Sequence, residues 1–194
     1  MANERLKPFR DYDEHDVLNL FSFDDAAVTL DSSTVVYAGS VVKIRTGWSN
    51  TDEVQQLGDV GASYNNVVSQ RYGVNAKVEY CNGGPSEAPI GITLYDVREH
   101  DENGELLKFN PQKAAELQAA ISGQAVPVAT KGTFLFATGA FQAVAGTISA
   151  GDTLYVTGDG KITNQALATP ANVSIGKALG GADSDGSVLV KLEL

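Results

Sequence analysis

The 194-residue chain has one cysteine and two histidines, and that scarcity removes several chemistries together. Cys81 has no partner for an internal disulfide, so folding is read as independent of oxidation. One thiol and two imidazoles also leave no cysteine-rich metal site. Long apolar runs are missing too. No stretch approaches the ~18 residues of a membrane span. Residues 1–10 are charged and lack the apolar core of a secretory leader. The chain is therefore expected to be soluble, made in the cytoplasm and not engaged with a membrane. The Asn172-Val173-Ser174 glycosylation triplet is then read as coincidence. Basic charge is short as well: 14 Lys and Arg against 24 Asp and Glu leave a net charge of −10. Nowhere do Lys and Arg cluster densely enough to neutralise a run of phosphates, so nucleic acid is not an expected partner.

Catalytic motifs are absent in the same way. There is no nucleophile elbow, phosphate loop, zinc-protease helix or dinucleotide fingerprint. Gly158-Asp159-Gly160-Lys161 lacks the Ser or Thr that would follow the lysine, the upstream glycine and a following helix, so it is read as a hairpin turn. His15 within Asp13-Glu14-His15-Asp16 and His100 within Glu99-His100-Asp101-Glu102 each stand among consecutive carboxylates. Neighbouring side chains on an extended chain diverge, so these are read as solvated turns rather than coordination shells. Asp183-Ser184-Asp185-Gly186 resembles the opening of a calcium loop, but Leu194 stands where the bidentate glutamate belongs. Cys81 beside Asn82-Gly83-Gly84 is read as a small buried thiol. No catalytic, metal or cofactor residue is expected, and the chain is read as not an enzyme.

What is present is an ordinary globular composition, 43% hydrophobic and 20% charged. From Val28 onward, short runs of Val, Ile, Thr, Tyr and Phe alternate with Gly, Asn, Asp and Ser. This predicts a mainly β fold, a small antiparallel β-barrel or sandwich. Strands are expected at 34–37, 40–45, 75–80, 90–98, 132–137, 142–144, 153–157, 174–179 and 187–192. One short helix is expected from Asn110 as cap and Pro111 at the first position through KAAELQAAI, ending before Gly123. Insertions are expected near 46–74 and 99–125.

Residues 1–27 differ: the charge is dense, glycine is absent, and apolar groups fall on both faces of an extended chain. The stretch is expected as an extended N-terminal arm preceding a β-rich domain at 28–194. The alternative is an N-terminal strand tucked into its own core. If it is an arm, a chain lacking residues 1–24 should still fold.

An internal echo runs through the chain. Ala38-Gly39-Ser40-Val41-Val42 resembles Ala150-Gly151-Asp152-Thr153-Leu154, and Pro89-Ile90-Gly91-Ile92-Thr93-Leu94 resembles Ser174-Ile175-Gly176-Lys177-Ala178-Leu179. The order is shared but the spacing is not. The paired glycines stand 52 positions apart in the first case and 25 in the second, so a true repeat needs an insertion of about 27. Re-use of one turn solution by a barrel is the alternative.

Lys131-Gly132-Thr133-Phe134-Leu135-Phe136, Ala150-Gly151-Asp152-Thr153-Leu154-Tyr155-Val156 with Gly158-Asp159-Gly160-Lys161-Ile162, Ile175-Gly176-Lys177-Ala178-Leu179 and Gly186-Ser187-Val188-Leu189-Val190-Lys191-Leu192 succeed one another closely. The succession resembles the capsid decoration (cement) proteins of tailed bacteriophages. The resemblance implies a structural virion protein on the outer capsid surface, often a homotrimer, that stabilises the expanded shell by bridging neighbouring major capsid protein subunits. It brings no catalytic residues. Carried onto this chain, it makes Pro8, Phe9, Tyr12, Leu18, Phe21 and Phe23 the interface candidates, with Trp48 as a further anchor. The alternative function is a tail or head-fibre module that recognises a host-surface glycan through Trp48, Tyr64, Tyr72 and Tyr95.

Overall fold

The computed structural model describes residues 4–31, 33–47, 76–84, 87–142, 144, 146–166 and 173–194. Their strands are β1 (Leu6–Asp11), β2 (Val17–Phe23), β3 (Val41–Thr46), β4 (Lys77–Tyr80), β5 (Pro89–Thr93), β6 (Asp96–Val97), β7 (Ala119–Ala120), β8 (Ala125–Ala129), β9 (Lys131–Phe136), β10 (Thr153–Thr157), β11 (Lys161–Thr163), β12 (Ser174–Ala178) and β13 (Val188–Glu193), with one helix, α1 (Pro111–Glu116). The mainly β fold read from the sequence is the fold observed.

Two five-stranded units of one plan account for most of it. In the first, β2, β4, β3, β5 and β8 close into a ring in that order. In the second, β11, β10, β12, β13 and β9 lie side by side in a sheet whose far edge is β1. Matched in chain order, β2 corresponds to β9, β3 to β10, β4 to β11, β5 to β12 and β8 to β13. Every antiparallel neighbour pair of the ring then has its counterpart in the open sheet.

The registers agree as well. Val41 and Val42 face Ile92 and Gly91, while Thr153 and Leu154 face Lys177 and Gly176. Ile92 in turn faces Ala129, as Lys177 faces Lys191. Flanking hydrogen bonds repeat: Gly39 N–H donates to Thr93 O and Gly151 N–H to Ala178 O (2.6 and 2.8 Å), while Leu94 N–H donates to Pro127 O and Leu179 N–H to Leu189 O (2.9 and 2.8 Å). Gly39 and Gly151 open the matching turns at φ of +89° and +90°, a conformation that glycine enters without a Cβ penalty. The echo is thus a structural repeat. Residues 47–76 separate β3 from β4 where only 158–160 separate β10 from β11, and this difference supplies the missing spacing.

The units differ in closure. In the ring, β2 pairs in parallel with β4 through Ser22–Lys77 and Phe23–Val78. Among the described residues of the second unit, the parallel bridge Phe141–Ile162 echoes that contact, and β1 occupies the free edge of β9. The interior of the ring holds Phe21, Phe23, Val42, Val78, Tyr80, Val126 and Val128. A larger core joins the inner face of the second unit (Phe134, Phe136, Leu154, Ile162, Ile175, Val190, Leu192) to Leu6 and to the outer face of the first (Val41, Ile92, Leu94, Ala129).

Within the stretch expected as an arm, residues 6–11 and 17–23 form β1 and β2, which pair within the chain's own sheets. The reason is the apolar content of both faces: Leu6 is 5%, Phe21 7% and Phe23 3% exposed. Of the expected strands, 34–37 is reduced to a bridge at Val36, and Gln142 and Val144 carry none. β8 was not among the expected strands, and its Pro127 lacks a ladder donor. Its ladder with β5 runs through Val128 and Ala129 only, so the missing N–H interrupts nothing there.

The helix is shorter than its sequence implies. Asn110 caps it, accepting from Lys113 N–H at 3.2 Å, and Pro111 starts it. It ends at Glu116, and Gln118 turns to φ +48°. Ala119 and Ala120 then pair in parallel with Asp96 and Val97 and are buried. Alanine is the strongest helix former, but the preference is worth only a few tenths of a kcal/mol per residue, and burial in β7 outweighs it.

Asp101 holds this connection together. Its carboxylate accepts from Asn103 N–H and Glu105 N–H (2.8 Å each) and pairs with Lys113 on α1. These bonds, the Lys113 contact first, hold its pKa down at about 2 against 3.8. A depressed carboxylate stabilises the fold above its unfolded pKa, and the contribution is lost as pH falls through the folded one. Stability should therefore decline between pH 3.8 and about 2. Asp101→Asn should flatten that decline in denaturation curves taken across the interval.

Candidate interaction surface

β1 is an edge strand, paired to β9 alone. Leu6 faces Phe136 and Arg10 faces Phe134, so Lys7, Pro8 and Phe9 form a bulge opposite Leu135. A proline in a bulge on a sheet edge costs no ladder bond and blunts the edge against stray strand pairing. Pro8 is exposed and Phe9 is 52% exposed. Tyr12 is 39% exposed with its ring stacked on Phe134, centroids 5.7 Å apart at 20°. Gly132 permits that approach, since a Cβ there would lie 2.8 Å from both Asp11 O and Tyr12 Cβ.

Arg5 fastens the start of this edge. Its buried guanidinium donates to Ser40 Oγ (2.9 Å) and Asp159 O (2.7 Å) and lies 5.5 Å from the Tyr80 ring centroid. Burial lowers its pKa, yet a guanidinium remains charged at any working pH. One side chain thus ties the N-terminal segment to the ring and to the β10–β11 turn.

Of the interface candidates, the structure groups Pro8, Phe9 and Tyr12 on the exposed edge. Phe21 and Phe23, expected as interface candidates, are buried in the ring interior, and Leu18, a third candidate, is partly buried against them. Trp48 falls outside the described residues, as do Tyr64 and Tyr72, while Tyr95 is 39% exposed. Sequence reading missed the exposed Leu20, Ile44, Phe109 and Leu179. Period-two alternation along β12 and β13 carried the signal for Leu179.

No group of three or more His, Cys, Asp and Glu side chains among the described residues is arranged to hold a metal ion. A cleft of about 480 Å³ between β1 and the β6–β7 region is lined by Arg5, Arg10, Asp96 and Arg98 among others, with neither Cys81 nor a histidine. Asp96 there accepts from Ala38 N–H at 2.8 Å, which gives it a structural duty. Cys81 is fully buried, its Sγ 3.4 Å from Glu87 Oε2, and burial pushes its pKa up to about 11. The thiol therefore stays protonated near neutrality and is a poor nucleophile. Native protein should react with a thiol-disulfide reagent at least tenfold more slowly than the urea-unfolded chain, followed at the release wavelength.

No helix among the described residues is long and apolar enough to cross a membrane. No curated protein matches the chain. Residues 114–193, which contain the whole second unit, match the family model described as phage cement protein. The run of motifs from Lys131 to Leu192 and this match agree, and they identify the chain as similar to the cement and decoration proteins of phage capsids.

Proposed function

We propose that this chain is a structural virion protein that binds the exterior of a phage capsid and stabilises the expanded shell by bridging neighbouring major capsid protein subunits. The family match over the second unit carries this reading. The physical logic is linkage: a protein that binds the expanded shell and not its precursor adds its binding free energy to the expanded state.

The fold supports a contact made by preformed strands. Residues 6–11 and 17–23 are already ordered in sheets, so capsid binding need not offset about 1–2 kcal/mol of backbone ordering per residue over that stretch. The exposed edge residues Pro8, Phe9 and Tyr12 are offered as shell contacts, with Trp48 as a further candidate. A homotrimer would present three such edges at once, and linked contacts gain through effective concentration.

Expanded capsids of the encoding phage, stripped of this protein, provide the test. Added chain should co-sediment with them and raise their thermal disruption temperature. Absence of co-sedimentation at micromolar chain would defeat the reading. Light scattering on the free chain checks the trimer, which should have three times the 20.4 kDa chain mass.

A further inference from the structure

The repeat exposes a face that, among the described residues, has no cover in the second unit. In the first unit, Val41, Ile92 and Ala129 stand side by side on the outer face of β3, β5 and β8, and all are at 0% exposure beneath the second unit. Their counterparts are Thr153, Lys177 and Lys191, a row on the outer face of β10, β12 and β13, and both lysines are exposed. The neighbouring row on this face is apolar. Leu135 faces Leu189, and Leu179 N–H bonds to Leu189 O, so three leucines line up across β9, β13 and the end of β12, with Leu179 47% exposed.

Lys177 and Lys191 form a directly opposed cross-strand pair. Like charges in that position oppose folding. Neither makes an ion pair within 4 Å among the described residues. Asp11 stands at the far end of the row beyond Thr133, and Glu193 lies opposite Lys131. The pair is thus a point of concentrated positive charge on a chain whose net charge is −10.

We propose that this outer face, with Lys177 and Lys191 beside the leucine row, is a docking face for an acidic protein surface, that of the capsid shell. The inference rests on the capsid reading above and adds to it the face used and the charge of the surface met. The lysines supply electrostatic steering and register, and the leucines supply the apolar area. The face corresponds to the one that the first unit already uses for burial against a partner.

Single and double charge reversals test it. Lys177→Glu places an acid opposite Lys191, which should raise the melting temperature by about 1–3 °C. The same change should weaken co-sedimentation with expanded capsids at least tenfold at low salt. Lys177→Glu with Lys191→Glu restores a like-charge pair, so it should melt like the wild type and bind worst of all. Rising salt should weaken the wild type more than either variant. Wild-type chain that sediments together with an equally bound double variant overturns the face and leaves the capsid reading standing. A double variant whose solution mass falls overturns it too, since the face would then join copies of this chain. A wild type that never sediments overturns both.

Discussion

A chain lacking residues 1–24 should show no cooperative unfolding transition. The deletion removes β1 and β2, and with them Leu6, Phe21 and Phe23 from two cores. Each of these side chains contributes about 1.5–3 kcal/mol by burial alone. Their sum rivals the roughly 5–15 kcal/mol that holds a typical domain. The loss also strips the neighbours of β2 on both sides, β4 and β8, and leaves the ring open. Near-ultraviolet circular dichroism should lose its aromatic signal, and a sharp melt in the truncated chain would contradict the placement of these strands. Two point variants separate core from contact. Phe23→Ala should cost about 3–5 kcal/mol. Phe9→Ser, on the exposed edge, should stay within about 0.5 kcal/mol of the wild type.

Gly91→Ala and Gly176→Ala should each lower stability by about 3 kcal/mol, because both glycines stand where a neighbouring strand's backbone passes. A Cβ on Gly91 would lie 2.3 Å from Ala129 O, and one on Gly176 would lie 2.1 Å from Lys191 O. Backbone cannot swing aside as a flexible side chain can, so β5 must part from β8, or β12 from β13. The two sites are counterparts in the repeat, and parallel losses in urea titrations would reflect it. Gly180, where an added Cβ would meet nothing within 4 Å, supplies the control: Gly180→Ala should leave the urea midpoint nearly unchanged.

Strand identity was legible wherever alternation and glycine turns agreed, as at β3, β9, β10, β12 and β13. It was hidden where composition opposed context. β8 reads as Ala-Val-Pro-Val-Ala, a run too small and too interrupted by proline to stand out as a strand. Ala119 and Ala120 read as helix until burial drew them into β7. The phenylalanines of β2 were legible as apolar but not as to which protein they served. Apolar content on both faces demands cover, and sequence cannot say whose. The lysine pair was invisible for a different reason: Lys177 and Lys191 are 14 positions apart, and only the β12–β13 register brings them abreast. The repeat showed in two glycine-centred motifs, and its unequal spacing concealed it until residues 47–76 could be set against 158–160.

The pairing of β1 with β9 also fixes an order of events during synthesis. Leu6 meets Phe136, and residues this far apart along the chain must await a long stretch of translation before they can touch. The ring needs nothing beyond Ala129 and can close while the remainder is still being made. β1 therefore precedes the ring in the chain but is placed after it, and Arg5 can reach Asp159 only later still. Until then the edge that will carry Phe9 and Tyr12 has no sheet to join, so the contact proposed for it belongs to the finished chain and not to the nascent one.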